Sequence, residues 1–228
     1  MNEKPSSNAS MRFPEVKHLI GICGNMRVGK NTVGEVLYHH FDKGNYRQLL
    51  AFASVLKQAA SVSFGVSITA DKTDKVDWLG LTVREVYQKL GTSMKHTFGN
   101  DIHIRILDHD LHENSCDAAI VTDVRFENEA NWIINNYGTI IHVTRPSGNL
   151  DLSHESEVFP ARFGAYSKTR THKDQILYVK NSGSLEDLHA SAIALMPLIK
   201  SRKELHDALT VKIEAQVHAN EAAVNHGI

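Results

Sequence analysis

Cysteine is scarce: the chain of 228 residues has two, Cys23 and Cys116. Both sit in or beside apolar, strand-like runs without metal-type spacing, which argues against a disulfide scaffold and a cysteine zinc site. They read as core residues of a protein kept in a reducing compartment. Long apolar runs are also absent. None approaches the roughly 18 residues of a membrane span, and the N-terminal stretch lacks the h-region of a signal peptide. A cytoplasmic protein without a membrane partner is expected. Net charge is small as well, because 25 Lys and Arg against 26 Asp and Glu leave −1. With no overall basic field, a nucleic acid polymer is not an expected partner; small anions bound locally are. The 14 histidines are scattered, and even His39 and His40 cannot face the same way on a helix, so they suggest no metal cluster. Internal repeats and low-complexity segments are missing too.

What is abundant is apolar side chain. Hydrophobic residues make up 42% of the chain, enough for one sizeable core and a mobile subdomain but not for two large domains. The most informative stretch runs from Leu19 to Val33 (LIGICGNMRVGKNTV), where an apolar strand feeds a glycine-bounded loop and then a helical pattern. Gly24 and Gly29 enclose four residues and Lys30 follows at once, meeting every position of the strand–GxxxxGK(S/T)–helix pattern except the last. Backbone N–H groups from about Arg27 to Thr32 converge on phosphate oxygens only if the chain curls tightly, which glycines permit, and the helix adds the positive end of its dipole. Lys30 supplies a point charge for β- and γ-phosphates. Asn31 stands where the Mg²⁺-binding hydroxyl is usual and Thr32 comes one place later, so metal contact runs through water or through Thr32. The alternative is an ordinary glycine turn with a chance lysine; the flanking strand and helix favour the phosphate cradle.

Residues 1–15 are polar and aperiodic and read as a loose tail. Strand Leu19–Cys23 and helix Thr32–Phe41 are followed by a short buried strand over Leu49–Phe52. A helical segment opens at Phe52, with Lys57 either on a substrate phosphate or, as residue chemistry alone prefers, on a solvated face. Residues 66–81 read as a loop. Thr82 and Glu85 form a capping box ahead of an apolar stripe (Val83, Val86, Tyr87, Leu90) that Gly91 is expected to end; Arg84 lies off that stripe, toward a ligand or toward water. Ala118–Asp123 is a buried strand ending in a carboxylate, as the Mg²⁺ partner of a phosphate loop requires. Arg125 follows at the carboxyl end of that strand, where ligands of open α/β sheets bind. Alternatively Asp123 caps the next helix and Arg125 pairs with Glu129; the upstream loop favours the functional reading. Ala130, Ile133, Ile134 and Tyr137 then make a helical stripe. A strand over Thr139–Thr144 leads to a lid, or else a plain surface excursion, over about 147–173. The last strand, Ile176–Lys180, precedes a helix capped by Ser184 and Asp187, with Leu185, Leu188, Ala192, Leu195 and Ile199 inward.

Four stretches carry a family resemblance. Gly24–Thr32 is similar to a GxxRSGKDT loop, Phe52–Lys57 to a FADPLK segment, and Leu90–Thr92 with Asp101-Ile102 to a QxLGTE and G-D-I/V-W region. Thr122–Ala130 (TDVRFENEA) is similar to TDVRFxNEA, the most specific of the four, and His154–Glu157 resembles an HxSE motif in the lid. Together they resemble the phage-type deoxynucleoside monophosphate kinases of the adenylate-kinase-like P-loop group, over roughly residues 19–195. The chain departs from that pattern at Asn31 (usually Asp), at Met26 (commonly basic) and at His103 or Ile104 (a tryptophan region).

The resemblance implies a three-layer α/β P-loop kinase fold: a parallel five-stranded sheet with helices on both faces, in a domain over residues 16–200. An acceptor-binding helical insertion (about 53–105) and the lid belong to it, followed by a C-terminal helix or tail over 201–228. It implies transfer of the ATP γ-phosphate, with Mg²⁺, to a deoxynucleoside monophosphate. Gly24, Arg27, Gly29, Lys30, Asn31 and Thr32 would hold the donor, with Asn181 at the adenine and Thr32 and Asp123 toward Mg²⁺. Lys57, Arg84, Gly91, Asp123, Val124, Arg125, Glu129 and Ser156 would face the acceptor. Lys30, Asp123 and Arg125 would carry the chemistry, aided by a lid arginine among Arg145, Arg162 and Arg170. A homodimer, and a host's cytoplasm if a phage encodes the chain, complete the expectation. The runner-up readings are a P-loop kinase of another small acceptor, such as dephospho-coenzyme A, and a nucleotide-dependent binding module; a guanine switch is disfavoured by the missing (N/T)KxD motif.

Overall fold

The order of the strands places the phosphate-loop strand at the centre. The computed structural model describes residues 16–41, 46–146, 155–169, 173–202, 204 and 208; the expected tail over 1–15, Arg170, His154 and most of 201–228 lie outside them. β1 (His18–Cys23), β2 (Arg47–Leu50), β5 (Ala118–Val124), β6 (Thr139–Thr144) and β7 (Ile176–Lys180) form one parallel sheet in the order β2-β5-β1-β6-β7. A two-residue antiparallel pair, β3 (Lys75–Val76) and β4 (Leu81–Thr82), stands apart. The helices are α1 (Lys30–His40), α2 (Ser54–Phe64), α3 (Val83–Phe98), α4 (Ile102–Glu113), α5 (Glu127–Asn135), α6 (Glu155–Lys168) and α7 (Leu185–Ile193), with 196–202 helical after it.

Strand residues alternate between two cores, as a period of two requires. On one face Leu19, Cys23, Ala119, Val121 and Ile140 pack with Leu111 of α4, Ile133 of α5 and Phe163 of α6. On the other, Ile20, Ile22, Ile120, Ile141 and Val143 pack with Val33 and Leu37 of α1 and Leu188 and Ala192 of α7. This is the three-layer, P-loop-kinase-like α/β arrangement with a five-stranded parallel sheet. Because it is covered on both sides, its central strands read as continuous apolar runs. The segment between β2 and α4 has its own small core, in which Ala60 of α2 meets Val66, Val83 and Val86.

Several elements differ from the sequence expectation. α1 starts at Lys30, two residues early, because the phosphate loop curls directly into its first turn. β2 covers Arg47–Leu50 and is a half-exposed edge strand, not a buried one, since it has a neighbour on one side only. Residues 66–81 contain a hairpin and a 3₁₀ turn rather than a plain loop. Gly91 does not end α3, which runs 16 residues to Phe98; its missing side chain lets Leu56 of α2 pack close, since a Cβ there would lie 3.3 Å from Leu56 Cδ1. Tyr137 is exposed beyond the end of α5, and Leu185 of α7 faces outward at 56% exposure. Within the expected lid, α6 puts Phe163 and Tyr166 into the main core.

Candidate active site

β1 and β5 end side by side, so everything that leaves them meets. Cys23 pairs with Val124, and the register shifts between Gly21 and Cys23, so β5 advances one residue more than β1 just before the loop. Such a bulge re-aims a side chain, and here Thr122 and Asp123 stand at the shift. The loop itself is conformationally demanding. Gly24 has φ 152 and a Cβ there would lie 2.4 Å from the Val143 carbonyl; Gly29 has φ 103, and its Cβ would lie 2.9 Å from Leu188 and 3.0 Å from Asn181. Arg27 adopts φ 64 without being glycine, a cost of order 1 kcal/mol that marks a held conformation.

A cavity of about 500 Å³ opens over this loop. Arg27, Gly29, Lys30, Asn31 and Thr32 line it from the donor side, Thr122, Asp123 and Arg125 from β5, and Arg145, Asn181 and Ser184 from beyond β6 and β7. Lys30 is 8% exposed, and its Nζ donates to the carbonyls of Gly24 at 2.7 Å and Asn25 at 2.8 Å. Burial first, then the Arg125 cation, lowers its pKa to about 8, against a raising contribution from Glu157.

Asp123 accepts from the Phe52 N–H at 2.7 Å and the Ala53 N–H at 3.0 Å, holding the entrance of α2 onto the end of β5. It therefore caps the chain ahead of α2, not the helix after it. Burial raises its pKa, opposed by those two amides and by Arg125 and Lys30. Arg125 donates through Nη1 to Glu157 Oε1 at 2.7 Å and to Ser156 Oγ at 3.3 Å, while its main-chain N–H goes to Glu129 at 2.7 Å. Glu129 also accepts from the Phe126 N–H at 3.0 Å and is thus used in capping α5. Its pKa rises to about 8, through burial and then through Asp123.

Three exposed cations, Lys57, Lys72 and Arg84, lie outside the cavity lining. Lys72, though exposed, is held below its usual range by desolvation first, then by the Arg125, Arg84 and Lys57 charges, with Asp123 opposing. Its place is fixed by the main chain: the Arg84 N–H donates to the Lys72 carbonyl at 3.0 Å, and Asp71 bonds the Thr73 N–H at 2.8 Å. Among the described residues Lys57, Lys72 and Arg84 form no ion pair. Asp71, beside Thr73, is the carboxylate that Arg84 and Lys72 act on electrostatically.

The remaining sequence candidates fall elsewhere. The side chain of Val124 is in the core, Gly91 is packed against Leu56, and Arg162 is exposed on α6 away from the cavity. Asn181 is 7% exposed and donates to the Val28 carbonyl at 2.9 Å, so it supports the loop from behind as well as lining the cavity. His103, in the tryptophan region, is buried with its Nδ1 lacking a partner among the described residues. Sequence reasoning missed Lys72, which no motif marks, and Glu157, which the HxSE motif contained without a role.

No family model matches the chain. A protein of Acanthamoeba polyphaga mimivirus, whose inferred name is deoxynucleotide monophosphate kinase, is 27% identical over 195 residues, covering 77% of this chain and 94% of that protein. No described helix is long and apolar enough to cross a membrane. Over most of its length the chain is similar to that mimivirus protein.

Proposed function

We propose that this chain transfers the γ-phosphoryl group of ATP to a deoxynucleoside monophosphate, giving ADP and the diphosphate. The observation that carries the reading is one cavity bordered both by the phosphate loop and by Asp123 and Arg125. One side suits a triphosphate and the other a monophosphate, and Arg125 is common to both.

Phosphoryl transfer through a loose transition state needs in-line positioning and neutralisation of charge, not a covalent nucleophile. Loop amides from Arg27 to Thr32 and the Lys30 ammonium bind the donor; Lys30 exchanges its two carbonyl partners for phosphate oxygens. Arg125 spans donor and acceptor, and Lys57, Lys72 and Arg84 hold the acceptor phosphate. Arg145, exposed at the cavity wall, is the lid-side arginine best placed to meet the transferring group. Asn181 and Ser184 line the wall toward the adenine.

The chain's donor set fits Mg²⁺. Thr32 and Asp123 line the same cavity and would hold the ion together with phosphate oxygens and water. When bound it would neutralise phosphate charge. Asp123, its oxygens already accepting two amides, would act toward it through water.

The test is ADP formation from ATP with each of the four deoxynucleoside monophosphates, beside AMP and dephospho-coenzyme A. Turnover that depends on a deoxynucleotide is the expected result. Turnover with dephospho-coenzyme A alone would transfer the site to that acceptor, and ATP binding without any turnover would make the chain a binding module.

A further inference from the structure

One carboxylate in this site is explained neither by donor nor by acceptor binding. Glu157, in the first turn of α6, is 7% exposed. Its Oε2 accepts from the Met26 N–H at 2.8 Å and from Asn25 Nδ2 at 3.4 Å, and its main-chain carbonyl takes a further bond from Asn25 Nδ2 at 3.0 Å. Its Oε1 takes Nη1 of Arg125 at 2.7 Å. A single side chain therefore touches the phosphate loop with one oxygen and the acceptor-side arginine with the other, from a helix anchored in the core by Phe163 and Tyr166.

We propose that Glu157 is a positioning residue that sets Arg125 in register with the phosphate loop, so that the two phosphates meet in line. The idea rests on the function proposed above and deepens it. The loop belongs to β1 and α1, whereas Arg125 leaves β5, and a small displacement of one against the other misaligns the reacting atoms. Misplacement of about 1 Å costs on the order of 10²-fold in rate. Arg125 is a long side chain with many rotamers; a bond from Nη1 to a buried carboxylate fixes its plane and leaves Nε and Nη2 for phosphate, which suits a bidentate fork. The two oxygens of Glu157 divide the work, and a carboxylate is needed because both partners are donors. Ser156 Oγ, 3.3 Å from the same Nη1, supports the guanidinium from the adjacent position.

The proposal is tested with Glu157→Gln, which keeps the size of the side chain but turns one acceptor into a donor. Expected is a fall in kcat of about 10-fold or more, with KM for ATP changed less than about threefold and the melting temperature nearly kept. Because Glu157 acts through Arg125, the pair Glu157→Gln with Arg125→Lys should be no slower than Arg125→Lys alone. A kcat above half the wild-type value would overturn the proposal. So would rate losses that multiply in the double variant, or a loss of stability that by itself accounts for the rate. If the wild type turns over none of the deoxynucleotides, the proposed function fails separately. The Glu157 link is then read from amide hydrogen exchange at Met26, which should speed up in Glu157→Gln; unchanged exchange would refute it.

Discussion

Lys30→Met should abolish activity and yet make the protein more stable. The folded chain holds the Lys30 ammonium nearly out of water, at 8% exposure, beside Arg125, and its pKa falls from the ordinary 10.5 to about 8. That gap corresponds to roughly 3 kcal/mol by which folding disfavours the charge. Methionine has similar length and no charge. It forfeits the bonds to the Gly24 and Asn25 carbonyls, a loss of about 1 kcal/mol, so a net gain of about 2 kcal/mol remains. For a domain of this size that is roughly 4–8 °C in melting temperature. The sign with pH is fixed: between pH 8 and 10.5 the unfolded wild type binds a proton that the folded protein does not, so wild-type stability rises there. The advantage of Lys30→Met is therefore full below pH 8 and shrinks above it. Activity should drop by ~10²-fold or more, as for a lost transition-state contact worth several kcal/mol. Urea denaturation at pH 7 and pH 10 checks this. A variant less stable than wild type at pH 7, or a difference that does not change with pH, would refute the reasoning.

Three further outcomes follow from individual residues. Glu129→Ala should cost about 2 kcal/mol in urea denaturation, because it strips both N–H groups of Arg125 and Phe126 of their acceptor; Glu129→Gln, which keeps an accepting oxygen, should cost far less. With the folded pKa of Glu129 raised to about 8 from the ordinary 4.5, wild-type stability should also decline as pH rises across that window, and Glu129→Gln should flatten the decline. His142 is buried beside Phe163 at 4.6 Å, and burial lowers its pKa to about 4, so stability should fall as pH drops from 6.5 toward 4. His142→Phe should remove that acid limb in thermal melts, and an unchanged limb would assign it elsewhere. Gly29→Ala meets both the positive φ and the contacts with Leu188 and Asn181; a loss of about 2 kcal/mol and weaker MgATP binding by calorimetry are expected, and wild-type affinity would contradict the strained-loop account.

The centre of the sheet was legible because β1, β5 and β6 are buried on both faces and so appear as unbroken apolar runs, as in Ala118–Val121. The helix starts at Thr82 and Ser184 were equally legible: both capping boxes are formed, with Glu85 and Asp187 returning the bond. Gly91 misled because its usual meaning, a helix end, is local, whereas here the glycine serves the approach of Leu56 from α2. Leu185 fitted the helical stripe but borders the cavity instead. The loop and the carboxylate at the end of β5 were readable from spacing, since adjacent strands of an open sheet bring their ends together. Lys72 was not, because nothing in a charged stretch says which lysine will feel the Arg125 charge in the fold. Asn181 reached the candidate list through its place after the last strand; its bond to Val28 is a contact across 153 positions that no local pattern carries. Glu157 was hidden for the same reason, its partners lying 131 residues and more upstream at Met26 and 32 at Arg125.

The most direct measurement follows the phosphoryl group itself. With ATP labelled at the γ-position, a deoxynucleoside monophosphate and Mg²⁺, the label should appear in the deoxynucleoside diphosphate in amounts equal to ADP, and should fail to appear with Lys30→Met or Arg125→Ala. Label found only as inorganic phosphate, or transfer that survives both substitutions, would contradict the account.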